Sequence, residues 1–279
     1  MKLQFYNSVT SEKEEFQPIS NKEVLVYGCG PTVYNSPHIG NFRTFIFYDL
    51  LNRVLVQNGY TVKNVINITD IDDKIIDRVN NEDIAFNDLI QKYERIFLEQ
   101  SDFLSILPST FNPRASEYVS EMIDFIKSLT DKGMAYNING NIFFDTKEYS
   151  KYGKFVNIDD DNLSKEDNEL GKKHPNDFAL WKAWKESDGE ITWTSDWGNG
   201  RPAWHTECAV LGTQLLGESI DIHCGGIDLK FPHHENESAQ VEALLGNQFA
   251  NYWLHSEHLI FDREKMSKSL GNTLTISDL

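Results

Sequence analysis

The chain has 279 residues, of which 40% are hydrophobic and 25% are charged. That length supports one elaborate domain or two modest ones, so folding does not require disulfides or a metal. Three widely spaced cysteines exclude a disulfide scaffold and suit a reducing compartment. The first residues, Met1 to Asn7, contain no signal-like apolar stretch, and no run reaches the ~18 apolar residues of a membrane span. We therefore expect a cytoplasmic protein that is not attached to a membrane.

The charge of the chain is strongly unbalanced. It carries 26 basic and 43 acidic side chains, which gives a formal net charge of −17. Proteins that coat nucleic acid need broad positive charge, so this balance argues against general nucleic-acid binding. It leaves room for a local site for one RNA end. The most acidic stretch, residues 157–169, is expected to be a solvated loop because such runs do not pack.

The first predicted unit is strand, loop, helix and strand. Val24 to Tyr27 is a short apolar run typical of a buried parallel strand, and a loop with two glycines follows it. Apolar residues recur at helical spacing from Asn41 to the stop at Asn58-Gly59, and residues 62–68 form the next predicted strand. Such a right-handed parallel unit binds ligands at the carboxyl ends of its strands. The first of those ends is the segment 28–40.

Two predicted helices follow, at about 84–104 and 114–129, and their apolar stripes indicate core packing. Residues 135–145 then place Asn139-Gly140 between short apolar runs, which is the pattern of a β-hairpin. We expect residues 113–199 to be an insertion between two halves of a parallel domain.

After the insertion the parallel pattern resumes. The predicted elements are a helix near 206–216, a strand at 220–222, a helix from about His233 and a strand near 254–261. The expected fold class is therefore α/β, a doubly wound Rossmann-like parallel sheet with an inserted α+β connective domain. The predicted boundaries are 1–112 for the first half of the sheet domain, 113–199 for the insertion, 200–262 for the second half and 263–279 for a C-terminal loop region.

Two clusters of residues suit the binding of phosphate. Cys29 to Tyr34 leads into His38-Ile39-Gly40-Asn41, where a strand end meets a helix start with free N–H groups. His38 and Asn41 add side-chain donors, and Gly40 lets a ligand approach the backbone. The second cluster, Lys265 to Ser269, has two lysines and two hydroxyls in a loop that suits a polyphosphate. The alternatives are an ordinary helix start and a solvated basic loop.

A third cluster offers ligands for a metal. His233 and Glu237 are four residues apart and share a face if they lie on a helix. Together with Cys29 and Cys208 they would form a four-ligand zinc site with suitable chemistry. The two cysteines are far apart in the sequence, however, and do not form a short metal-binding motif.

Two neighbouring residues are rival ligands. His234 is spaced to pair with Ser238, which is a poor ligand, so we expect the imidazole to point elsewhere. Cys224 lies beside glycines and is either a rival ligand or, as we favour, a small buried thiol.

The clusters together resemble a known family. His38 to Asn41 resembles the HIGH motif of class I aminoacyl-tRNA synthetases, and Lys265 to Ser269 matches their KMSKS motif letter for letter. The surrounding residues resemble the cysteinyl-tRNA synthetases in particular, almost from end to end. The matching segments are Cys29 to Tyr34, Asn67 to Lys74, Trp204 to Cys208 and Gly225 to Glu237.

The resemblance implies a zinc ion held by two cysteines, one histidine and one glutamate. These roles fall on the residues that the ligand chemistry also favours, namely Cys29, Cys208, His233 and Glu237. The thiolate of the substrate L-cysteine would bind the zinc, which a serine hydroxyl does poorly, so that no editing site is needed. The pocket for the rest of the amino acid would be lined by Gly30, Thr69 and Trp204.

The resemblance also implies that ATP, with Mg²⁺, lies between the two signature motifs. The residues expected to bind ATP are His38, Gly40, Asn41, Gly225, Gly226, Asp228, Lys265 and Lys268, of which His38, Asn41, Lys265 and Lys268 are the expected catalytic residues. The cysteine carboxylate would attack the α-phosphate, and cysteine would then pass to the 3′ adenosine of its tRNA. A monomer is favoured.

Two departures from the family pattern stand out. Asn41 replaces the second histidine of the signature but keeps a hydrogen-bond donor. The chain also ends soon after the KMSKS loop, without the usual helical and anticodon-binding regions, as in a catalytic fragment, a split gene product or a truncated form. We expect cysteine activation to survive and tRNA charging to be weak. The alternatives are the cysteine ligase of mycothiol biosynthesis and an inactive zinc-binding paralogue.

Overall fold

The computed structural model describes residues 2–156, 167–261 and 263–279. The thirteen strands of this described part are β1 (Gln4–Asn7), β2 (Glu12–Glu15), β3 (Glu23–Gly28), β4 (Thr61–Ile66), β5 (Ala135–Ile138), β6 (Asn141–Phe144), β7 (Phe178–Ala183), β8 (Trp193–Ser195), β9 (Gly198–Pro202), β10 (Ile220–Gly226), β11 (Ala250–Ser256), β12 (Ile260–Phe261) and β13 (Glu264–Lys265). Its α-helices are α1 (Ile39–Gln57), α2 (Asp73–Glu82), α3 (Phe86–Phe103), α4 (Val119–Asp131), α5 (Trp204–Leu216) and α6 (Glu235–Leu245). Most of the acidic stretch expected to be a solvated loop, residues 157–166, lies outside the described residues.

The central sheet has four parallel strands in the order β11-β10-β3-β4. Helix α1 connects β3 to β4, which confirms the predicted strand–helix–strand unit. The chain leaves β3 towards β4 on one side and later returns to place β10 on the other side. The boundary between β3 and β10 is therefore the point at which the strand order reverses, where sheets of this kind bind their ligands.

Alternating side chains of the sheet face two different cores, as expected for a sheet with helices on both faces. On β3, Val24 and Val26 pack in a cluster with residues of α1 and α3. Tyr27 faces the opposite side and packs with Trp253 of β11 and with residues of α5 and α6. This two-sided packing confirms the doubly wound α/β class. Among the described residues, no helix is both long enough and apolar enough to cross a membrane.

A second sheet lies between α4 and α5 in the chain. Its five strands are antiparallel and have the order β5-β6-β7-β9-β8. The predicted hairpin is confirmed, since Asn139 and Gly140 connect β5 to β6 with φ values of 53° and 86°. Positive φ at both central residues is the reason that Asn-Gly is favoured in such turns. This sheet packs against α4 through a separate apolar cluster.

Several predicted elements differ from the structure. Helix α2 was not predicted because its periodic apolar signal is short, with only Ile75 and Ile76 buried. The helix predicted at 84–104 is α3, and the one predicted at 114–129 is α4, which follows a 3₁₀ turn at Ala115–Tyr118. The helix predicted from about His233 is α6, which begins at Glu235.

The strands at the site differ as well. The strand predicted at 254–261 is wrong in position, since β11 begins at Ala250 and ends at Ser256. The strand predicted at 220–222 continues through Gly226, so that Gly225 and Gly226 lie within it rather than after it. Pairing of β10 with β11 extends as far as Gly226 and Ser256 and outweighs the weak strand preference of glycine.

Candidate active site

A cavity of about 480 Å³ opens at the carboxyl ends of the central strands. Cys29, Thr69, Asp228 and Glu257 follow the ends of β3, β4, β10 and β11, and all four line it. The other predicted site residues in its lining are Gly30, His38, Gly40, Asn41, Trp204, Cys208, Gly226, Lys265 and Lys268. Three predicted residues are buried away from its surface, namely Gly225, His233 and Glu237. The topology thus brings together residues that are far apart in the chain.

The start of α1 explains the spacing of His38 and Asn41. The backbone N–H of Asn41 donates to Nδ1 of His38 at 3.2 Å, and the N–H of His38 donates to Oδ1 of Asn41 at 3.1 Å. This reciprocal capping box satisfies two N–H groups of the first turn. Since His38 Nδ1 accepts, Nε2 carries the proton and is the donor left for a ligand, together with Nδ2 of Asn41. Burial, and then the charge of Lys268, lowers the pKa of His38.

Gly30 and Asn67 lock the loops after β3 and β4 together. The N–H of Gly30 donates to Oδ1 of Asn67 at 2.9 Å, and Nδ2 of Asn67 donates to Oγ1 of Thr69 at 3.1 Å. A Cβ at position 30 would lie 1.5 Å from the carbonyl oxygen of Asn67, so only glycine fits there. Gly225 is needed for a similar reason, because a Cβ would lie 2.4 Å from the ring of His234. Asn67 was not predicted as a site residue, although it opens one of the recognised segments.

The lysine-rich loop is held against the start of α1. Asn272 accepts from the N–H of Ser267 at 2.9 Å and donates to the carbonyl of Lys265 at 3.1 Å. Beyond the loop, the N–H of Ile39 donates to the carbonyl of Leu274 at 2.8 Å. The loop and the helix start therefore face each other across the mouth of the cavity.

Cations gather at this mouth, and we call Lys74, Arg78, Lys265 and Lys268 the cationic rim. Nζ of Lys268 lies 4.4 Å from the ring centroid of Tyr34, and Nζ of Lys74 lies 5.6 Å from the same centroid. Burial and the neighbouring charges of Lys74 and Arg78 lower the pKa of Lys268 to about 8.

The floor of the cavity holds a cluster of buried ligand atoms. Cys29, Cys208, His233 and Glu237, which we call the sulfur cluster, each offer one atom, and these four atoms lie within 4.8 Å of one another. Nε2 of His233 lies 2.9 Å from Oε1 of Glu237, yet it makes no aligned hydrogen bond. Both atoms can serve as ligands of a metal that displaces the proton of His233. Thiolate, imidazole and carboxylate together suit zinc.

A second set overlaps the first and consists of Cys29, His223, His234 and Glu237. The expectation that His234 points elsewhere is wrong, since its Nε2 lies 3.3 Å from Sγ of Cys29. Residues Lys230–His234 precede the regular helix α6 and are wound differently, so the four-residue spacing does not place His234. Cys224 belongs to neither set and is buried in the core beside α1, as favoured from the sequence.

Hydrogen bonds involve the imidazoles of both sets. Nδ1 of His234 is paired with Nε2 of His255 at 2.8 Å, and Nε2 of His223 is paired with Oε2 of Glu237 at 2.7 Å. Nε2 of His233 and Nδ1 of His223 both lack an aligned hydrogen bond, so hydrogen bonding excludes neither set. The first set differs from the second in offering two cysteines, whose thiolates are common zinc ligands.

The ionisation of the cluster is strongly coupled. Burial lowers the pKa of His233, but the Glu237 carboxylate and Cys208 outweigh burial and raise it to about 10. Burial opposes the ionised form of Glu237, and His223 and His233 nevertheless hold its pKa well below the usual range. Burial also opposes ionisation of Cys208, but Cys29 and His233 lower its pKa to about 6. The cluster thus stabilises a thiolate beside an imidazolium and a carboxylate.

Outer residues orient the imidazole of His233. Nδ1 of His205 lies 2.8 Å from Nδ1 of His233, and the ring of Trp204 stacks on the His233 ring at 4.0 Å between centroids. Such partners fix the direction of a ligand and the nitrogen that it presents. His205 and His223 were not predicted from the sequence. Polar residues among the buried positions of α5 and β10 were the available signal.

The family comparison covers nearly the whole chain. The model described as "tRNA synthetases class I (C) catalytic domain" matches residues 15–279. The chain is 49% identical to a cysteine–tRNA ligase of Brachyspira hyodysenteriae over 99% of its own length and 59% of that protein. It is 47% identical to a cysteine–tRNA ligase of Thermococcus gammatolerans over 100% of its length and 59% of that protein. The chain thus spans about three fifths of these relatives.

Solved structures share the fold at much lower sequence identity. The methionyl-tRNA synthetase of Mycobacterium tuberculosis, in complex with methionyl-adenylate, matches 91% of this chain and 60% of its own, with a TM-score of 0.67 and 12% identity. A second structure of that enzyme bound by methionyl-adenylate gives a TM-score of 0.63. These matches support the assignment of the fold.

Proposed function

Because the chain belongs to the class I (C) tRNA synthetase catalytic-domain family, we propose that it activates L-cysteine with ATP and forms cysteinyl-adenylate and pyrophosphate. One observation carries this proposal. A single cavity has a helix start and a lysine-rich loop at its mouth and the sulfur cluster near its floor. That arrangement suits a substrate that joins a phosphate chain to a small thiol.

The sulfur cluster is proposed to hold one zinc ion through Cys29, Cys208, His233 and Glu237. The orphaned Nε2 of His233 and the stabilised thiolate fit a metal of this kind. Zinc bound there would supply a site for the thiolate of cysteine, which serine does not offer. The residues of this chain contribute by fixing the ligand directions and by excluding water from the floor, where all four ligands are buried.

The remaining site residues are proposed to bind the rest of the substrates. Gly30, Thr69 and Trp204 line the space beside the cluster and would contact the amino and carboxylate groups of cysteine. Gly40, Gly226 and Asp228 line the side of the cavity where the nucleotide would lie, with Asp228 accepting from ribose hydroxyls. Gly225 acts indirectly, since it makes room for the ring of His234.

The proposed reaction is an in-line displacement at the α-phosphate. A carboxylate oxygen of cysteine forms a bond to phosphorus as the bond to the β-phosphate oxygen breaks, and that electron pair leaves with pyrophosphate. Nε2–H of His38 and Nδ2 of Asn41 would donate to the phosphates. Lys265 and Lys268 would neutralise the charge that develops on the leaving group, with Mg²⁺ accompanying ATP. Transfer of cysteine to the 3′ adenosine of its tRNA is proposed as the second half-reaction.

The test is L-cysteine-dependent exchange of labelled pyrophosphate into ATP, with L-serine as the control substrate. We expect exchange with cysteine only, its loss when zinc is stripped and its return when zinc is restored. A folded, zinc-loaded protein without exchange would overturn the proposed activation. Exchange that is unaffected by complete zinc removal would overturn the role of the cluster while leaving activation intact.

A further inference from the structure

The position of Lys74 is electrostatically unfavourable for a cation. It lies in the first turn of α2, whose N-cap is Asp72, and its side chain is exposed at the lining of the active-site cavity. The first turn of a helix carries the positive end of the helix dipole, so a lysine there opposes the local field. Local conflicts of this kind are common at functional sites.

A second ammonium group, that of Lys268, lies near the same aromatic ring as that of Lys74. Nζ of Lys74 and Nζ of Lys268 lie 5.6 Å and 4.4 Å from the ring centroid of Tyr34. Within the ranges that the structure describes, neither ammonium group lies within 4 Å of a carboxylate. Two unpaired like charges held near each other repel, and a bound anion would remove that repulsion.

The scaffold keeps these groups in place. A guanidinium N–H of Arg78 donates to the backbone carbonyl of Tyr34, and the same guanidinium is paired with Glu82 at 2.7 Å on α2. Arg78 thus fixes Tyr34 to the helix that carries Lys74. The ring is carried by the segment after β3 and the first ammonium group by helix α2, whereas Lys268 is supplied by the loop.

We propose that Lys74 is a further substrate-binding residue, which binds the β- and γ-phosphates of ATP and the pyrophosphate leaving group together with Lys268. This inference rests on the proposed function. Charge supports it, because a triphosphate needs several cations and the lysine-rich loop supplies only two. Burial, and then the neighbouring charges of Lys74 and Arg78, lower the pKa of Lys268, which agrees with the closeness of these cations around Tyr34.

The position of Lys74 on a helix predicts which kinetic constant it affects. A cation fixed by α2 contacts the phosphates before the loop adjusts, so it contributes to ground-state binding as much as to the transition state. Loss of Lys74 should therefore raise KM for ATP more than it lowers kcat. KM for cysteine should not change, because Lys74 lies at the mouth and the sulfur cluster lies at the floor.

The test compares Lys74→Gln with Lys92→Gln. Lys92 is a matched control, since it is an exposed lysine beside a tyrosine ring, with Nζ 5.1 Å from the centroid of Tyr93, but it does not line the cavity. We expect Lys74→Gln to weaken ATP and pyrophosphate binding by roughly tenfold, the scale of one charge-assisted hydrogen bond. Lys74→Arg should recover most of this loss, and Lys92→Gln should bind as the wild type does.

Binding is measured by calorimetry without cysteine, and the KM values come from pyrophosphate exchange. Unchanged ATP and pyrophosphate binding in Lys74→Gln would overturn the role of Lys74. If the wild type binds ATP but shows no cysteine-dependent exchange, the proposed function fails while the binding comparison still decides the role of Lys74. Thermal unfolding confirms that each variant is folded, and Lys74→Met replaces Lys74→Gln if that variant is unstable.

Discussion

The sulfur cluster and the cationic rim belong to one cavity but are built in opposite ways. All four candidate ligands of the cluster are buried, and three of them lie on or beside the helices α5 and α6. In the rim, Lys74 and Lys265 are exposed, and Lys268 lies in a loop. The sulfur cluster, which would distinguish cysteine from other amino acids, is thus held in place by the core. The groups that would hold phosphate lie where side chains are able to adjust.

This difference has an energetic reason. A buried imidazole and carboxylate are costly unless they are paired, so removal of one member leaves an uncompensated charge. A solvated lysine that loses its partner is rehydrated at little cost. Substitutions in the cluster should therefore have larger effects than substitutions in the rim.

The largest expected effect is that of Cys208→Ala on zinc binding. Because Cys208 is one of four proposed ligands, zinc affinity should fall by more than the ~10–100-fold that loss of an outer partner costs. Affinity is measured by competition with a chromogenic chelator, and cobalt substitution reports thiolate ligands by their absorption. Cys224→Ala is the matched control, since Cys224 is equally buried but belongs to neither set of candidate ligands among the described residues. It should keep one zinc per chain.

A different result would favour the overlapping set of ligands. If Cys208→Ala retained tightly bound zinc and His234→Ala lost it, the ion would lie among Cys29, His223, His234 and Glu237. Cys208 and His233 would then be neighbours of the ion rather than its ligands.

An intermediate effect is expected for His205→Ala. Its Nδ1 lies 2.8 Å from Nδ1 of His233, so its loss should leave the ligand present but poorly oriented. Zinc affinity should fall by about 10–100-fold. His174→Ala is the control, because His174 lies between β6 and β7 and belongs to neither set of candidate ligands among the described residues. Equal zinc affinity in the wild type and in His205→Ala would contradict an orienting role.

The smallest expected effect is a pH dependence of the rim. The pKa of Lys268 is about 8 in the free protein, and a bound phosphate would raise it. Binding then takes up a proton above pH 8, so ATP affinity should fall by up to about tenfold per pH unit as the pH rises to 9.5. The titratable groups that face Lys268 are the cations Lys74 and Arg78 and the imidazole of His38, whose lowered pKa leaves it neutral in this range.

The control for this profile is Lys268→Arg. Arginine stays charged throughout this range, so the variant should bind ATP almost independently of pH. ATP itself does not change charge there, because the terminal phosphate titrates near pH 6. A flat profile for the wild type would mean that Lys268 does not contact the phosphates.

The elements that could be predicted are those that are determined by the residues of one short segment. Strand β3, helix α1 and the hairpin at Asn139-Gly140 follow from periodicity and turn residues, as described above. The place of Cys29 follows from topology, because it comes after the carboxyl end of β3, whereas Cys208 lies on α5 and its place beside Cys29 was expected from ligand chemistry and the family resemblance. Glu237 lies on α6, but His233 precedes that helix in the irregular segment Lys230–His234, so helical spacing predicted their meeting without describing the turn that produces it.

The remainder depends on contacts between distant segments. The extension of β10 through Gly226 arises from its pairing with β11 rather than from its own sequence. His234 faces Cys29 because the turn before α6 is irregular. The meeting of Lys74 with Lys268 at Tyr34 joins residues from three separate parts of the chain. Patterns within one short window do not contain this information.

The lysine-rich loop is a segment of chain that is held at both ends by hydrogen bonds. Its ends are tied down by Met266, whose N–H donates to the carbonyl of Leu259, and by Leu274, whose carbonyl accepts from Ile39. A tethered segment of fixed span gives its side chains an effective concentration that depends on its length. Adding glycines between the two ties would cost little folding free energy, about 0.6 kcal/mol for each doubling of the loop. A longer loop would nevertheless lower the effective concentration of the Lys268 ammonium group near the bound phosphates. The length of this loop therefore sets that effective concentration.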